Sequence, residues 1–454
     1  MAEHVILLSI PGLRESDVAR MPNLARLVSG GDRATLVPSF PAVTCPVQCN
    51  MTTGGPPEAH GVVANGFFWR DRGEVEMWTA WNEVVRERQI WDHLHEADTS
   101  LTAAAWFPLL AKGCGADYVC TPAPIHNPDG SESLWCYTKP EALYGELRDA
   151  LGHFPLQHFW GPLAGIQGTS WIVASAVLAG KQFRPNLFYV YLPHLDYAAQ
   201  KAGPDSDAAL TALRELDGEL GKLIDGFSEA YPREPLWLVA SEYAIVPVDH
   251  VAFPNRILRE AGLLEVKLDD DGREMLDLAE SRAWALADHQ HAHVFVRDRD
   301  SPTIGRIADL FRRQAGIAEA LAGDERRKHD LEHDRTGDVI LISAPNSWQA
   351  YYWWHDDASA PAFARTVDIH RKPGYDPVEL FFEKKGSGLF FQQKRGLTPF
   401  SVPLDATLVK GSHGAPATTD MQRGVLLASQ RGVLVERPTA DTDVADIVLR
   451  QFGI

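Results

Sequence analysis

Residues 5–13 read VILLSIPGL. The run 5–10 is apolar almost throughout and lacks a polar alternation, which suits a strand buried on both faces of a parallel sheet. Runs of the same kind recur at 101–106, 187–192, 236–240, 292–296, 339–342 and 425–428. Helical patterns lie between them. The clearest covers 207–227, where Leu210, Leu213, Leu216, Leu220, Leu223 and Phe227 recur at three and four residues while Arg214, Glu215, Asp217 and Lys222 take the other face. A second helix is expected over 305–321. Strands alternating with helices make α/β the expected class, a central and largely parallel sheet flanked by helices. The charge-rich stretch 255–344 carries its own strand and helix signals and is expected to form a smaller cap or insertion, with 1–254 and 345–454 as the core. Long loops are expected between Trp69 and Trp171.

With 43 Lys+Arg against 61 Asp+Glu, the net charge is −18. Such a surface repels phosphate backbones, so no nucleic acid is expected as partner. A small anionic substrate remains compatible if a metal or a local cation inverts the field. No run of about 18 apolar residues could span a bilayer, and the N-terminus lacks a positive region before its short apolar run, so a cytoplasmic location away from membranes is expected. Five cysteines without Cys-x-x-Cys spacing are expected to be reduced, structural thiols.

Parallel strands release their loops at one sheet edge, where open α/β sheets bind ligands. Pro11-Gly12 follows the first strand, His194-Leu195-Asp196-Tyr197 with Gln200 the run at 187–192, and Ser241-Glu242-Tyr243 the run at 236–240; Gly411-Ser412-His413-Gly414 lies near the C-terminus. Delivery of Asp, Glu and His to one edge is how a hard-to-borderline metal site is assembled from distant sequence. Thr44 precedes a helix start, since Pro46 fits a first helical turn. A hydroxyl there either caps the helix or serves as a nucleophile that receives a phosphoryl group at the positive end of the dipole. Asp288-His289 with His291 and His293 alternates imidazoles onto one side of a strand, as a surface cluster or as substitute ligands. Asp368, His370, Arg371 and Lys372 surround a Pro-Gly turn, where the two cations either receive an anionic group or bridge the turn.

The segments "VILLSIPGL", "PSFPAVTCPVQ", "TTGGPPEAHGVVANGFF", "LPHLDYAAQKAGP", "VASEYAIVP" and "GSHGAP" resemble, in order, the type I phosphodiesterase/nucleotide pyrophosphatase branch of the alkaline phosphatase superfamily. The resemblance implies an alkaline-phosphatase-like core and a metal-dependent hydrolase of a phosphate ester, phosphodiester or pyrophosphate. It implies Thr44 as nucleophile, Asp196 and His413 as ligands of one divalent metal, typically zinc, and Glu242 in place of an Asp ligand of a second. The pattern departs at Pro11, Gln200 and Tyr243, where metal ligands are usual, and at Val47, where an Asn is usual. One ion rather than two is therefore expected, with His194, Gln200, His289, Asp368, His370, Arg371 and Lys372 as further candidates for substrate or metal contact. Similar wording occurs in a subgroup with the same altered positions. The alternative is a catalytically degenerate relative that binds a small ligand or partner in the same cleft.

Overall fold

The computed structural model describes residues 2–126, 132–383, 401–435 and 437–454. In chain order its principal strands begin with β1 (Val5–Ser9), β2 (Arg33–Val37), β3 (Ala103–Trp106), β4 (Tyr118–Pro122), β5 (Cys136–Lys139), β6 (Leu187–Tyr191) and β7 (Leu236–Ala240). They continue with β8 (Ala283–Asp288), β9 (His291–Val296), β10 (Ile317–Ala322) and β11 (Val339–Ser343), and end with β12 (Gly424–Ala428) and β13 (Thr439–Ala440). The helices that bear on the site are α1 (Thr44–Thr53), α2 (Ile166–Phe183), α3 (His194–Ala202), α4 (Asp207–Ala230) and α5 (Ser301–Phe311).

Nine strands form one sheet in the order β13-β2-β12-β7-β1-β6-β3-β4-β5. From β7 to β4 the neighbours are parallel, so their C-terminal ends open together. β1 lies at the centre and every one of its residues is buried. Ile6 and Leu8 face the core that holds Leu213, Leu216 and Leu220 of α4, whereas Val5 and Leu7 face Val47 and Met51 of α1. The period-2 alternation of the strand thus divides one apolar run between two helical layers. α4 begins where Ser206 accepts a hydrogen bond from the Ala209 N–H, and its leucine stripe seals one face of the sheet.

The structure departs from the sequence expectations in four places. β12 is apolar like its neighbours but runs antiparallel to β7 and β2. β9 and β11 belong to a separate sheet, β8-β9-β11-β10, antiparallel throughout. Only two residues, His289 and Gln290, connect β8 to β9, and a link that short permits only an antiparallel hairpin. This sheet is covered on both sides, by Leu258, Phe311 and Trp348 on one and by Phe40, Val63 and Leu331 on the other. The expected helix over 305–321 is α5, which ends at Phe311; Gly316 with φ of +82° turns the chain into β10. The stretch between Trp69 and Trp171, where long loops are expected around the one strand read at 101–106, also holds β4 and β5. Apolar residues on both flanks, Trp348 to Trp354 and Val402 to Val409, complete the core under the second sheet. No helix among the described residues is long and apolar enough to cross a membrane. All five cysteines are unpaired and buried.

Candidate active site

α1 carries Thr44 as its first residue, with the extended Val43 as N-cap and no side-chain cap hydrogen bond. The Thr44 hydroxyl is therefore not the cap. It lies 3.0 Å from the Tyr243 hydroxyl, and the Tyr191 phenol at the end of β6 also faces it. The Cys45 N–H in the first turn is taken instead by Asn65 Oδ1 at 3.0 Å. Thr44 is 4% exposed, so the hydroxyl is enclosed by the residues around it.

Asp196 lies in helix α3, not in a loop. Gln200, one turn later, therefore shares its face, and its Nε2 donates to Asp196 Oδ2 at 2.7 Å. The other oxygen, Oδ1, is buried without a hydrogen-bond partner and lies 3.8 Å from His413 Nε2, which likewise has none. His413 Nδ1 is 2.8 Å from the Ala42 carbonyl. A carbonyl only accepts, so Nδ1 carries the proton and Nε2 presents a lone pair. Burial holds this imidazole well below its ordinary pKa and raises the Asp196 carboxyl to about 7.

Glu242, two residues beyond β7, is fully buried. Its Oε1 accepts from Ser9 Oγ at 2.5 Å and from Gln48 Nε2 at 2.7 Å, while Oε2 has no partner. Burial raises this carboxyl to about 8, so at neutral pH it is largely protonated. Gln48 is held in turn by the Leu109 N–H, which donates to its Oε1 at 2.7 Å.

Four rings form a continuous pile beside these groups. Tyr243 stacks on His413 at 3.6 Å, His413 meets His289 at 3.9 Å, and His289 stacks on Tyr375 at 3.6 Å. His289 belongs to the β8–β9 turn with φ of +57° and donates from Nδ1 to Asp288 at 2.6 Å. The Tyr375 hydroxyl donates to Gln200 Oε1 at 2.6 Å, so the pile also fixes the amide that holds Asp196.

Several candidates lie elsewhere or are engaged. His194, two positions before Asp196 on a helix, points to α4, where its Nε2 is 2.9 Å from Glu215; the shared face expected for an extended segment is absent because the segment is helical. His291 and His293 pack together inside the second sheet, buried rather than on the surface, with His293 bridging the Val63 carbonyl and the Gly337 N–H. Lys372 is buried between Asp376 Oδ2 at 2.8 Å and Glu379 Oε1 at 2.6 Å. Arg371 is exposed and paired with Asp368. Lys372 is therefore closed to a substrate anion by the turn's own carboxylates, whereas Arg371 engages Asp368 through Nε from an exposed position. His370 Nδ1 is 3.0 Å from the Met77 carbonyl. Sequence reasoning passed over Ser9, Gln48, Tyr191 and Tyr375; the spacing of Gln48 from Thr44, one helical turn, is the signal that could have found the first contact to Glu242.

The donor set does not match two metal ions. At the second-ion positions Glu242 keeps one unpartnered oxygen, Oε2, but Tyr243 offers a phenol and Pro11 has no donor. Among the described residues no three His, Cys, Asp or Glu side chains converge as a metal-binding group. Asp196 Oδ1 and His413 Nε2, two orphaned atoms at close range, fit a single ion whose other ligands would be substrate and water.

A family model described as type I phosphodiesterase/nucleotide pyrophosphatase matches residues 5–376. An uncharacterized pyrophosphatase/phosphodiesterase of Schizosaccharomyces pombe is 25% identical over 238 residues, 50% of this chain and 41% of that protein; the chain thus spans about two fifths of the length of that curated relative. Phosphonoacetate hydrolase of Sinorhizobium meliloti, solved with phosphonoformate, superposes with a TM-score of 0.61 at 17% identity, covering 99% of this chain and 96% of that one. Murine ectonucleotide pyrophosphatase/phosphodiesterase 5 superposes with a TM-score of 0.62 at 14% identity over 99% and 95% of the two chains. Its inactive threonine-to-alanine variant, solved with AMP, gives 0.62 at 13% identity over 100% and 95%. At these identities the two solved proteins establish the fold.

Proposed function

The chain belongs to the type I phosphodiesterase/nucleotide pyrophosphatase family, and from that premise we propose that it hydrolyses a phosphate ester, phosphodiester, pyrophosphate or phosphonate of a small molecule, with Thr44 as nucleophile. The observation that carries this is the placement of an uncapped hydroxyl at the first position of α1, in the buried cluster that contains the orphaned Asp196 Oδ1 and His413 Nε2.

In this reading the Thr44 oxygen forms a bond to phosphorus as the bond from phosphorus to the leaving group breaks, an oxygen in the esters and pyrophosphate and a carbon in a phosphonate, and water then hydrolyses the phosphothreonine. The helix N-terminus favours the anionic group. A divalent cation, with zinc the first candidate, would be held by Asp196 Oδ1 and His413 Nε2 and would supply Lewis-acid stabilisation of phosphoryl charge. Gln200 keeps Asp196 in orientation, and the proton on Glu242 spares the site a second buried negative charge.

The test is a panel of p-nitrophenyl phosphate, bis(p-nitrophenyl) phosphate and a p-nitrophenyl phosphonate, with zinc, manganese or magnesium added. Turnover that disappears in Thr44→Ala supports the proposal. Persistence of turnover in Thr44→Ala removes the nucleophile, and inertness toward every substrate and ion favours a relative that binds a ligand without converting it.

A further inference from the structure

In a chain of net charge −18, a place that gathers unpaired cations is a local exception, and the region of the second sheet carries one. A surface groove of about 290 Å³ is lined by Ala261, Leu263, Arg306, Asp309, Leu310 and Arg313. Buried Leu263 and half-buried Leu310 supply its apolar lining. Arg306 in α5 and Arg313 just beyond its end are exposed, and among the described residues neither forms an ion pair. Asp309, the one acid of the lining, is taken by Arg312 at 3.2 Å, and Arg312 also pairs with Glu325 at 2.7 Å. The groove thus presents two free guanidinium groups beside apolar side chains.

The reverse composition follows in the same stretch of chain. A hairpin of Val266–Leu268 against Glu274–Leu276 turns through Asp269, Asp270, Asp271 and Gly272. Asp269 Oδ1 accepts from the Asp271 N–H at 3.0 Å and the Arg273 N–H at 2.8 Å, and Gly272 has φ of +76°, so the tip has a defined shape. Asp269 is spent on that turn. Asp270 has no ion-pair partner among the described residues, and Asp271 meets Arg273 only at 3.9 Å. Leu268, at the base of the turn, is 67% exposed. A single exposed leucine is ordinary; beside two available carboxylates it is the counterpart of the groove.

We propose that the chain self-associates about a two-fold axis, with the Leu268–Asp271 tip of each copy seated in the Arg306/Arg313 groove of the other. Leu268 leaves water for the side of Leu263 and Leu310, while Asp270 and Asp271 meet the two guanidinium groups, so charge and apolar surface match in both contacts. Tip and groove belong to one region, residues 261–276 with α5, and a patch that carries both halves of a match can meet its own copy in an isologous interface. The like net charges of two copies repel, but at physiological salt that repulsion is screened beyond about 8 Å, whereas the carboxylate–guanidinium contacts act at closer range. Two short contacts make a small interface, which places the dimer in the weak, concentration-dependent class.

The experiment is sedimentation velocity with size-exclusion light scattering on the full chain over a concentration series, with thermal melting of each variant as the check on folding. The wild type is expected to pass from monomer to dimer as concentration rises. Arg306→Glu with Arg313→Glu, and separately Asp270→Arg with Asp271→Arg, sets like charges against each other in both contacts and is expected to weaken the dimer at least about 100-fold. Mixed in equal amounts, the two variants are expected to recover it as a heterodimer, since each groove then faces a tip of opposite sign. Leu268→Asn leaves every charge in place and is expected to weaken the dimer about 10-fold or more; it decides the matter should a charge-reversed variant melt early. A wild type that stays monomeric at every concentration overturns the proposal. So does a dimer that none of these changes weakens, or a mixture of two folded variants that stays monomeric.

Discussion

Replacement of Lys372 by Met tests the segment that presents Tyr375 to the site. The Lys372 ammonium lies 2.8 Å from Asp376 Oδ2 and 2.6 Å from Glu379 Oε1, and all three side chains are essentially sealed from solvent. Glu379 Oε2 also accepts from Trp160 Nε1 at 2.5 Å, and Oε1 from the Asp368 N–H at 2.9 Å. Burial alone would lower the Lys372 pKa, but the two carboxylates outweigh it and hold the amine above its ordinary value. Methionine preserves most of the chain volume, so the substitution removes charge rather than packing. Removal of one partner from a buried ion pair costs about 3–5 kcal/mol, because the remaining charge stays buried and uncompensated. The assay is urea denaturation followed by Trp fluorescence, compared at constant slope. Hydrogen exchange at the Tyr375 amide, which donates to the Ala287 carbonyl at 2.9 Å, reports local opening. The triple change Lys372→Met, Asp376→Asn and Glu379→Gln removes the charges together and should recover most of the loss. A single-variant effect below about 1 kcal/mol, or a triple variant as unstable as the single one, refutes the account of a buried charge left without its partner.

Three further outcomes follow from the same geometry. Folded Glu242 keeps its proton to about pH 8 against an ordinary 4.5, so folding takes up a proton between those values and stability falls as pH rises through that window; Glu242→Gln should show a flatter decline between pH 5 and pH 8 in urea midpoints, and an identical decline would refute the shift. Equilibrium dialysis with elemental analysis should find no more than one zinc per chain, lost in Asp196→Asn and in His413→Ala; two tightly held ions in the wild type would contradict the donor count. Ser206→Ala removes the cap of α4 and should cost about 1 kcal/mol in denaturant melts, with no loss indicating that water replaces it.

Legibility in the sequence followed the strength of periodic signals. The leucine stripe at 210–227 announced α4, and the apolar runs announced the strands, because burial on both faces leaves no room for polar residues. Direction was hidden: the same composition serves β1 in a parallel arrangement and β9 in an antiparallel one, since what the residues sense is burial. At the site, residue types at strand ends marked Asp196 and Glu242. The helical geometry of 194–202 was not visible there, and it decides that Gln200 faces Asp196 while His194 turns to Glu215. Tyr375 was hidden for a different reason. Its contact with His289 is made by long-range packing, and no local spacing records that.

The pile of four rings has a consequence for how the protein is made. Tyr243 comes from the large sheet, His289 from a hairpin of the small one, Tyr375 from the segment that crosses over, and His413 from the returning C-terminal stretch. No subset of these stretches can assemble the cluster, so a chain that has completed one sheet and not docked the other lacks the pile. If the proposed chemistry holds, activity would therefore report the docking of the two sheets, and a partly opened molecule would lack the assembled pile.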